Sequence, residues 1–199
     1  MIIDLLTVEE KKYLESFTYK KGEILFYEND VCDSIGIVIS GEIKISSLTF
    51  EGNEIIYNRL ARGDMFGNNL IFSKDNKYRG DVRSEKDSEV IIIKKDKLIK
   101  ILMMNEHFLE EYLSFNSEFA KSLNLKLKLL TFSNAKERFL YYLFIHDNRI
   151  SYKSIVSLAQ DLYFTREATS RVISSLVKEN KIIKGKHIIL VNKNNDLNK

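Results

Sequence analysis

Ser154 to Leu190 reads "SIVSLAQDLYFTREATSRVISSLVKENKIIKGKHIIL", and this stretch decides the fold. Ile155, Leu158, Ala159 and Leu162 recur at three- and four-residue spacings, the period of one helix face. Tyr163–Phe164 breaks that helix, and Thr165 is placed to cap a second one. Ala168, Val172, Ile173, Leu176 and Val177 give the second helix an inward stripe. Glu167, Ser170, Arg171, Ser174 and Lys178 lie opposite, and Arg166 projects from the first turn. "KIIKGKHIIL" then supplies two β runs around Lys184–Gly185–Lys186. The pattern predicts helix, tight turn, helix and a basic-tipped hairpin, the plan of a winged helix-turn-helix.

Such a helix fits the major groove of DNA, where its first residues meet base edges. Arg can bond guanine O6 and N7 in a bidentate manner, and Glu can accept from cytosine N4. Ser, Thr and Lys suit phosphate contacts, which set register and supply salt-dependent affinity. The candidate DNA contacts are Thr165, Arg166, Glu167, Thr169, Ser170, Arg171, Ser174, Lys178, Lys184 and Lys186. A winged-helix domain that binds a protein partner is the competing reading of the same residues. Charge favours DNA. Residues 1–131 hold 19 Lys and Arg against 22 Asp and Glu, whereas residues 132–199 hold 12 against 6. A basic excess confined to the last third points to a polyanion.

Composition closes off other classes. The 199 residues are 44% hydrophobic and 30% charged, enough for a core in one large or two small domains. Cys32 is the only cysteine, so a disulfide framework within one chain and a four-thiolate cluster are excluded. The first residues lack a basic segment ahead of an apolar run, and no stretch approaches the roughly 20 apolar residues of a membrane span. A cytoplasmic protein without a membrane partner is expected. No phosphate-binding loop, metal-ligand cluster or nucleophile elbow appears, so neither an enzyme nor a cofactor is expected.

The first half reads as β structure. Glu23–Tyr27, Ser34–Ser40, Glu42–Thr49, Asn53–Leu60 and Glu89–Lys94 are short and rich in β-branched residues, and seven of the eight glycines fall before residue 81. Short strands at this spacing suggest a sandwich or barrel. From Lys95 the period becomes helical. After a short helix at 95–105, Leu109, Leu113, Asn116, Ala120, Leu123, Leu127 and Leu130 form an a/d seam over about three heptads. Phe108, Tyr112, Phe115 and Phe119 run beside it. One stripe can pack on the β domain and the other on a twin helix, so a homodimer is expected, with Asn116 setting register. A further helix is expected after Thr131, capped by Ser133 or Asn134 and broken at Asp147–Asn148.

Taken together, the chain resembles the cyclic-AMP receptor / fumarate-nitrate regulator (Crp/Fnr) superfamily of bacterial transcription factors. "KKGEILFYEND", "IVISGEIKI", "FEGNEI" and "ARGDMFG" follow its β-roll glycine pattern at Gly22, Gly41, Gly52, Gly63 and Gly67, with Asn29 where a glycine is usual. "TREATSR" matches its recognition-helix signature R-E-x-x-x-R at Arg166, Glu167 and Arg171. The resemblance implies an α+β protein: a double-stranded β-helix (jelly-roll, cyclic-nucleotide-binding-like) sensor at 1–104, a dimerisation helix at 105–131 and a winged helix-turn-helix at 132–199. It implies a dimer reading a pseudo-palindromic, TGTGA-like operator, with double-stranded DNA and RNA polymerase as partners.

The same resemblance speaks to the effector. Cyclic-nucleotide members carry Gly-Glu for the ribose and Arg-x-Ala for the phosphate. Here Gly67 matches, Asn68 stands at the Glu position, and Tyr78 falls at the phosphate Arg, with Arg79 one residue late. Cyclic AMP is therefore disfavoured. A small organic effector at Gly67, Asn68, Asn69 and Arg79, or none, is expected. The surroundings of His107, His146 and His187 do not resemble a haem pocket, and Cys32 reads as a plain loop cysteine.

Overall fold

Runs of β-branched residues punctuated by turn residues build eight strands in the first 94 positions. In the computed structural model, which describes residues 1–192, a short 3-10 turn and helix α1 (Val8–Lys11) precede them. The strands are β1 (Glu15–Tyr19), β2 (Ile24–Phe26), β3 (Ser34–Ser40), β4 (Ile43–Leu48), β5 (Glu54–Leu60), β6 (Met65–Phe66), β7 (Asp81–Ser84) and β8 (Ser88–Lys94). They pair antiparallel in two four-stranded sheets, ordered β1-β8-β3-β6 and β2-β7-β4-β5. Ile35 faces Ile93 and Ile37 faces Ile91 across the β3–β8 ladder. Ile35, Ile37, Ile43, Val82 and Val90 are fully buried, and together they form the centre of a jelly-roll-like core.

Five strands lie where the sequence predicts them. β1, β6 and β7 do not, because the first is almost wholly exposed, the second has two residues and the third carries Asp81 and Arg83. Asn29 adopts φ 70°, the left-handed conformation that a glycine would otherwise supply. At Gly41 (φ 85°) a Cβ would stand 2.2 Å from the Ser88 hydroxyl oxygen, so only glycine fits that turn.

Helix α2 (Lys95–Met104) stops at Asn105, whose side-chain oxygen accepts from the Phe108 amide and starts α3 (Glu106–Thr131). The Asn105 amide also donates to Glu10 and to the Leu5 carbonyl, anchoring that break. Phe108 and Tyr112 are buried and Phe115 packs against the same core, so the aromatic stripe serves the β-roll as expected.

The chain divides into two compact units, residues 1–118 and 119 onward. The second holds the last turns of α3, then α4 (Ala135–Ile145), β9 (Arg149–Ser151), α5 (Ile155–Leu162), α6 (Arg166–Lys178), β10 (Ile182–Lys184) and β11 (Ile188–Val191). Asn134 caps α4, and Asp147 and Asn148 end it in left-handed conformations. The three strands form one antiparallel sheet ordered β10-β11-β9. Phe139, Leu143, Leu158, Leu162, Ile173, Leu176 and Ile189 close its core. Residues 193–199 of the expected C-terminal domain lie outside the described residues. Among the described residues no helix is long and apolar enough to cross a membrane, and no group of His, Cys, Asp and Glu could hold a metal.

Candidate nucleic-acid interface and sensor site

Two N-caps and one left-handed residue aim α6. Ser154 caps α5 reciprocally with Ser157, and Leu158, Ala159 and Leu162 bury one face. Tyr163 then takes φ 54°, and the Phe164 amide returns to the Ala159 carbonyl, closing the corner. The Thr165 hydroxyl accepts from the Ala168 amide at 3.1 Å and opens α6. A cap of this kind contributes about 1 kcal/mol. Val172, Ile173 and Leu176 are buried. That burial turns Arg166, Glu167, Ser170, Arg171, Ser174 and Lys178 outward, all exposed.

Two α6 residues depart from expectation. Thr169 is fully buried and its hydroxyl donates to the Thr165 carbonyl, so it belongs to the core and not to the exposed face. Val177, expected inside, is 39% exposed. Among the described residues neither Arg166 nor Arg171 engages an ion pair, which leaves both guanidinium groups for an outside partner. Lys184, Gly185 and Lys186 are exposed at the hairpin tip, where the Gly185 amide donates to the Ile188 carbonyl.

The sensor residues scatter. Gly67 (φ 77°) follows β6, and a Cβ there would meet the Ser34 carbonyl at 2.7 Å. Asn68 is buried and points inward: its amide donates to the Asn116 side-chain oxygen at 3.0 Å. Tyr112, which sequence reasoning gave only a packing role, donates its hydroxyl to the Asn68 carbonyl, and the Asn116 amide donates to the Tyr112 carbonyl. Asn116 is thus hydrogen-bonded within its own chain at both ends of its amide. Asn69 is exposed. Arg79 is exposed as well and pairs with Asp75 at 2.6 Å, so it does not join Asn68 in a pocket.

Tyr78, which the sequence resemblance aligns with a phosphate-binding arginine, is buried and stacks on Phe26 with ring centroids 4.9 Å apart. Its hydroxyl has no hydrogen-bond partner that meets ordinary geometry, but the Cys32 thiol lies beside it. Burial, and next that thiol, push the phenol far above its ordinary value. Cys32 is itself fully buried instead of lying open in a loop, and desolvation raises its thiol. A thiol so placed is unreactive. His187 is exposed on the wing, and His146 caps the C-terminus of α4.

On α3 the leucine seam is open to solvent. Leu113, Leu123, Leu127 and Leu130 are 43–63% exposed, Ala120 is exposed and Leu109 is half-buried. Leu129, outside the seam, is the leucine that packs inside.

Comparison with known proteins agrees with this geometry. Residues 16–105 match the cyclic nucleotide-binding domain family. The chain is 26% identical to the anaerobic regulatory protein of Bacillus subtilis over 67% of its own length, an alignment spanning 58% of that protein. It is 24% identical to the cyclic AMP receptor protein of Thermus thermophilus, covering 84% of this chain and 79% of that one. The chain is therefore similar to regulators of the Crp/Fnr type. A similar fold is seen in a CooA mutant from Carboxydothermus hydrogenoformans, 18% identical with a TM-score of 0.64, covering 94% of this chain and 87% of that one.

Proposed function

We propose that this chain is a sequence-specific DNA-binding transcription regulator acting as a homodimer. Residues 1–104 form the sensor, 105–131 the dimerisation helix and 132–199 a winged helix-turn-helix whose recognition helix is α6. One observation carries the reading: α6 presents Arg166, Glu167, Ser170, Arg171, Ser174 and Lys178 on one exposed face, with neither arginine in an ion pair among the described residues. Arg166, Glu167 and Arg171 read base edges of a TGTGA-like half-site. Ser170, Ser174 and Lys178 contact phosphate, as do Lys184 and Lys186 from the wing. Thr165 serves as the cap that aims them.

Two copies join along Leu109, Leu113, Ala120, Leu123, Leu127 and Leu130, since a stripe this apolar gains from burial against its twin. The dimer sets two α6 helices on a palindrome, and RNA polymerase is the further partner. The sensor takes no cyclic nucleotide: Tyr78 and Asn68 offer neither the cation nor the carboxylate such a ligand needs, and both are engaged with their own chain.

Selection of bound duplexes from random sequence tests the reading. A palindromic consensus is expected, with affinity that falls steeply and linearly on a log–log plot against salt. Recovery of unselected sequence, or a flat salt response, would overturn it.

A further inference from the structure

Arg138, in the second turn of α4, has an unusual set of partners. One guanidinium nitrogen donates to the Phe132 carbonyl at 3.0 Å, the first residue beyond α3. The other reaches the Leu162 and Tyr163 carbonyls, each at 3.4 Å. These belong to the last residue of α5 and to the left-handed residue that turns the chain into α6. The guanidinium carbon sits 4.7 Å from the centre of the Phe164 ring, the next residue along. Its Nε is buried without a partner. One planar cation therefore spans three carbonyls from two separate helix ends and covers a ring between them.

A cation is favoured at these carbonyls because the C-terminal end of a helix is the negative pole of its dipole. Only a rigid fork can serve them together; a lysine ammonium is a single point charge on a flexible stem. The corner is held from its other side as well, where Lys126 of α3 lies 5.0 Å from the centre of the Tyr163 ring.

We propose that Arg138 is a positioning residue: it clamps the α5–α6 corner to the end of α3, and so fixes the angle between the recognition helix and the dimerisation helix. In a dimer that angle sets the distance between the two DNA-reading faces. The proposal rests on the DNA-binding reading above.

Full-length protein is titrated against operators whose half-site spacing varies by one base pair in either direction. Wild type is expected to prefer one spacing. Arg138→Lys keeps the charge and loses the fork. It is expected to remain a folded dimer, to bind non-specific DNA as wild type does, and to lose about tenfold in affinity for the best operator. Its preference over neighbouring spacings should shrink by a similar factor. A residue that only stabilises the fold would weaken all spacings alike, so a uniform loss, or an unchanged profile, overturns the proposal. If Arg138→Lys fails to fold, Phe164→Leu loosens the same clamp by removing the ring beneath the guanidinium. A broadened spacing profile supports the clamp and a wild-type profile refutes it. Failure of wild-type protein to select any operator overturns the DNA reading itself, and the clamp with it.

Discussion

Asn116→Ala removes the acceptor of the Asn68–Asn116 bond, which at 3.0 Å has ordinary N–H···O length. Asn68 is only 7% exposed, so water does not readily replace the lost partner. A buried amide left unpaired costs about 1–3 kcal/mol. The Tyr112 carbonyl, which the Asn116 amide also reaches, keeps its helical bond and adds little. The expected loss is about 1–2 kcal/mol, or about 5 °C in melting temperature for a unit of this size. Asn68→Ala leaves only the half-buried Asn116 oxygen, which water can reach, and should cost about 0.5–1 kcal/mol. The double variant should then fall short of the summed losses by about 1 kcal/mol. Urea titrations of the four proteins, repeated at several concentrations, measure this. Additivity within about 0.3 kcal/mol would show that the two side chains do not interact. If Asn116 instead paired across the dimer, Asn116→Leu would raise stability in a concentration-dependent way.

Three further outcomes follow from named contacts. Arg171→Ala should lower specific affinity by about 1–3 kcal/mol and relax preference at one guanine in a binding-site selection, and an unchanged selection profile would contradict its role. Lys186→Ala should weaken all sequences equally and reduce the salt slope by about one, whereas a change in preferred sequence would contradict its phosphate role. The third concerns Glu179, at the end of α6. Its carboxylate accepts from Lys136, pairs with Lys181 and accepts from Ser175, and these bonds hold it at about 2. Its folded value is depressed, so the stabilisation is present above the ordinary carboxylate range and is lost as pH falls from about 4.5 toward 2. The melting temperature of wild type should therefore exceed that of Lys136→Met at pH 6, and the gap should close on acidification. A gap constant over that range would contradict it.

How much of this was legible in the sequence depends on how local each feature is. The α5–α6 pair was legible because apolar spacing and a Thr cap are written within 25 residues. The two misplaced residues sit at the edge of the stripe. Thr169 lies three and four residues before Val172 and Ile173, the spacing of a core position, and its hydroxyl obscured that signal. Val177 is one residue past Leu176, a rotation of about 100° that carries it outside. β7 escaped notice because its outer face is charged, and β9 because it is three residues long.

The sensor was harder to read. The partner of Asn68 is 48 residues away, and no periodicity links a β-turn to a helix seam. The seven-residue repeat marks Asn116 as a seam residue and carries no sign of its bond to Asn68. Arg138 escaped for a different reason: its acceptors are backbone carbonyls, which leave no mark in the residue types around them.

The central claim is that two chains, joined along the open face of α3, read one palindrome. Sedimentation of the purified protein with a fluorescent duplex carrying either one half-site or two tests it most directly. The account expects a dimer in free solution and two chains on the palindrome, with the single half-site bound far more weakly. Single chains that bind both duplexes with equal affinity would contradict it.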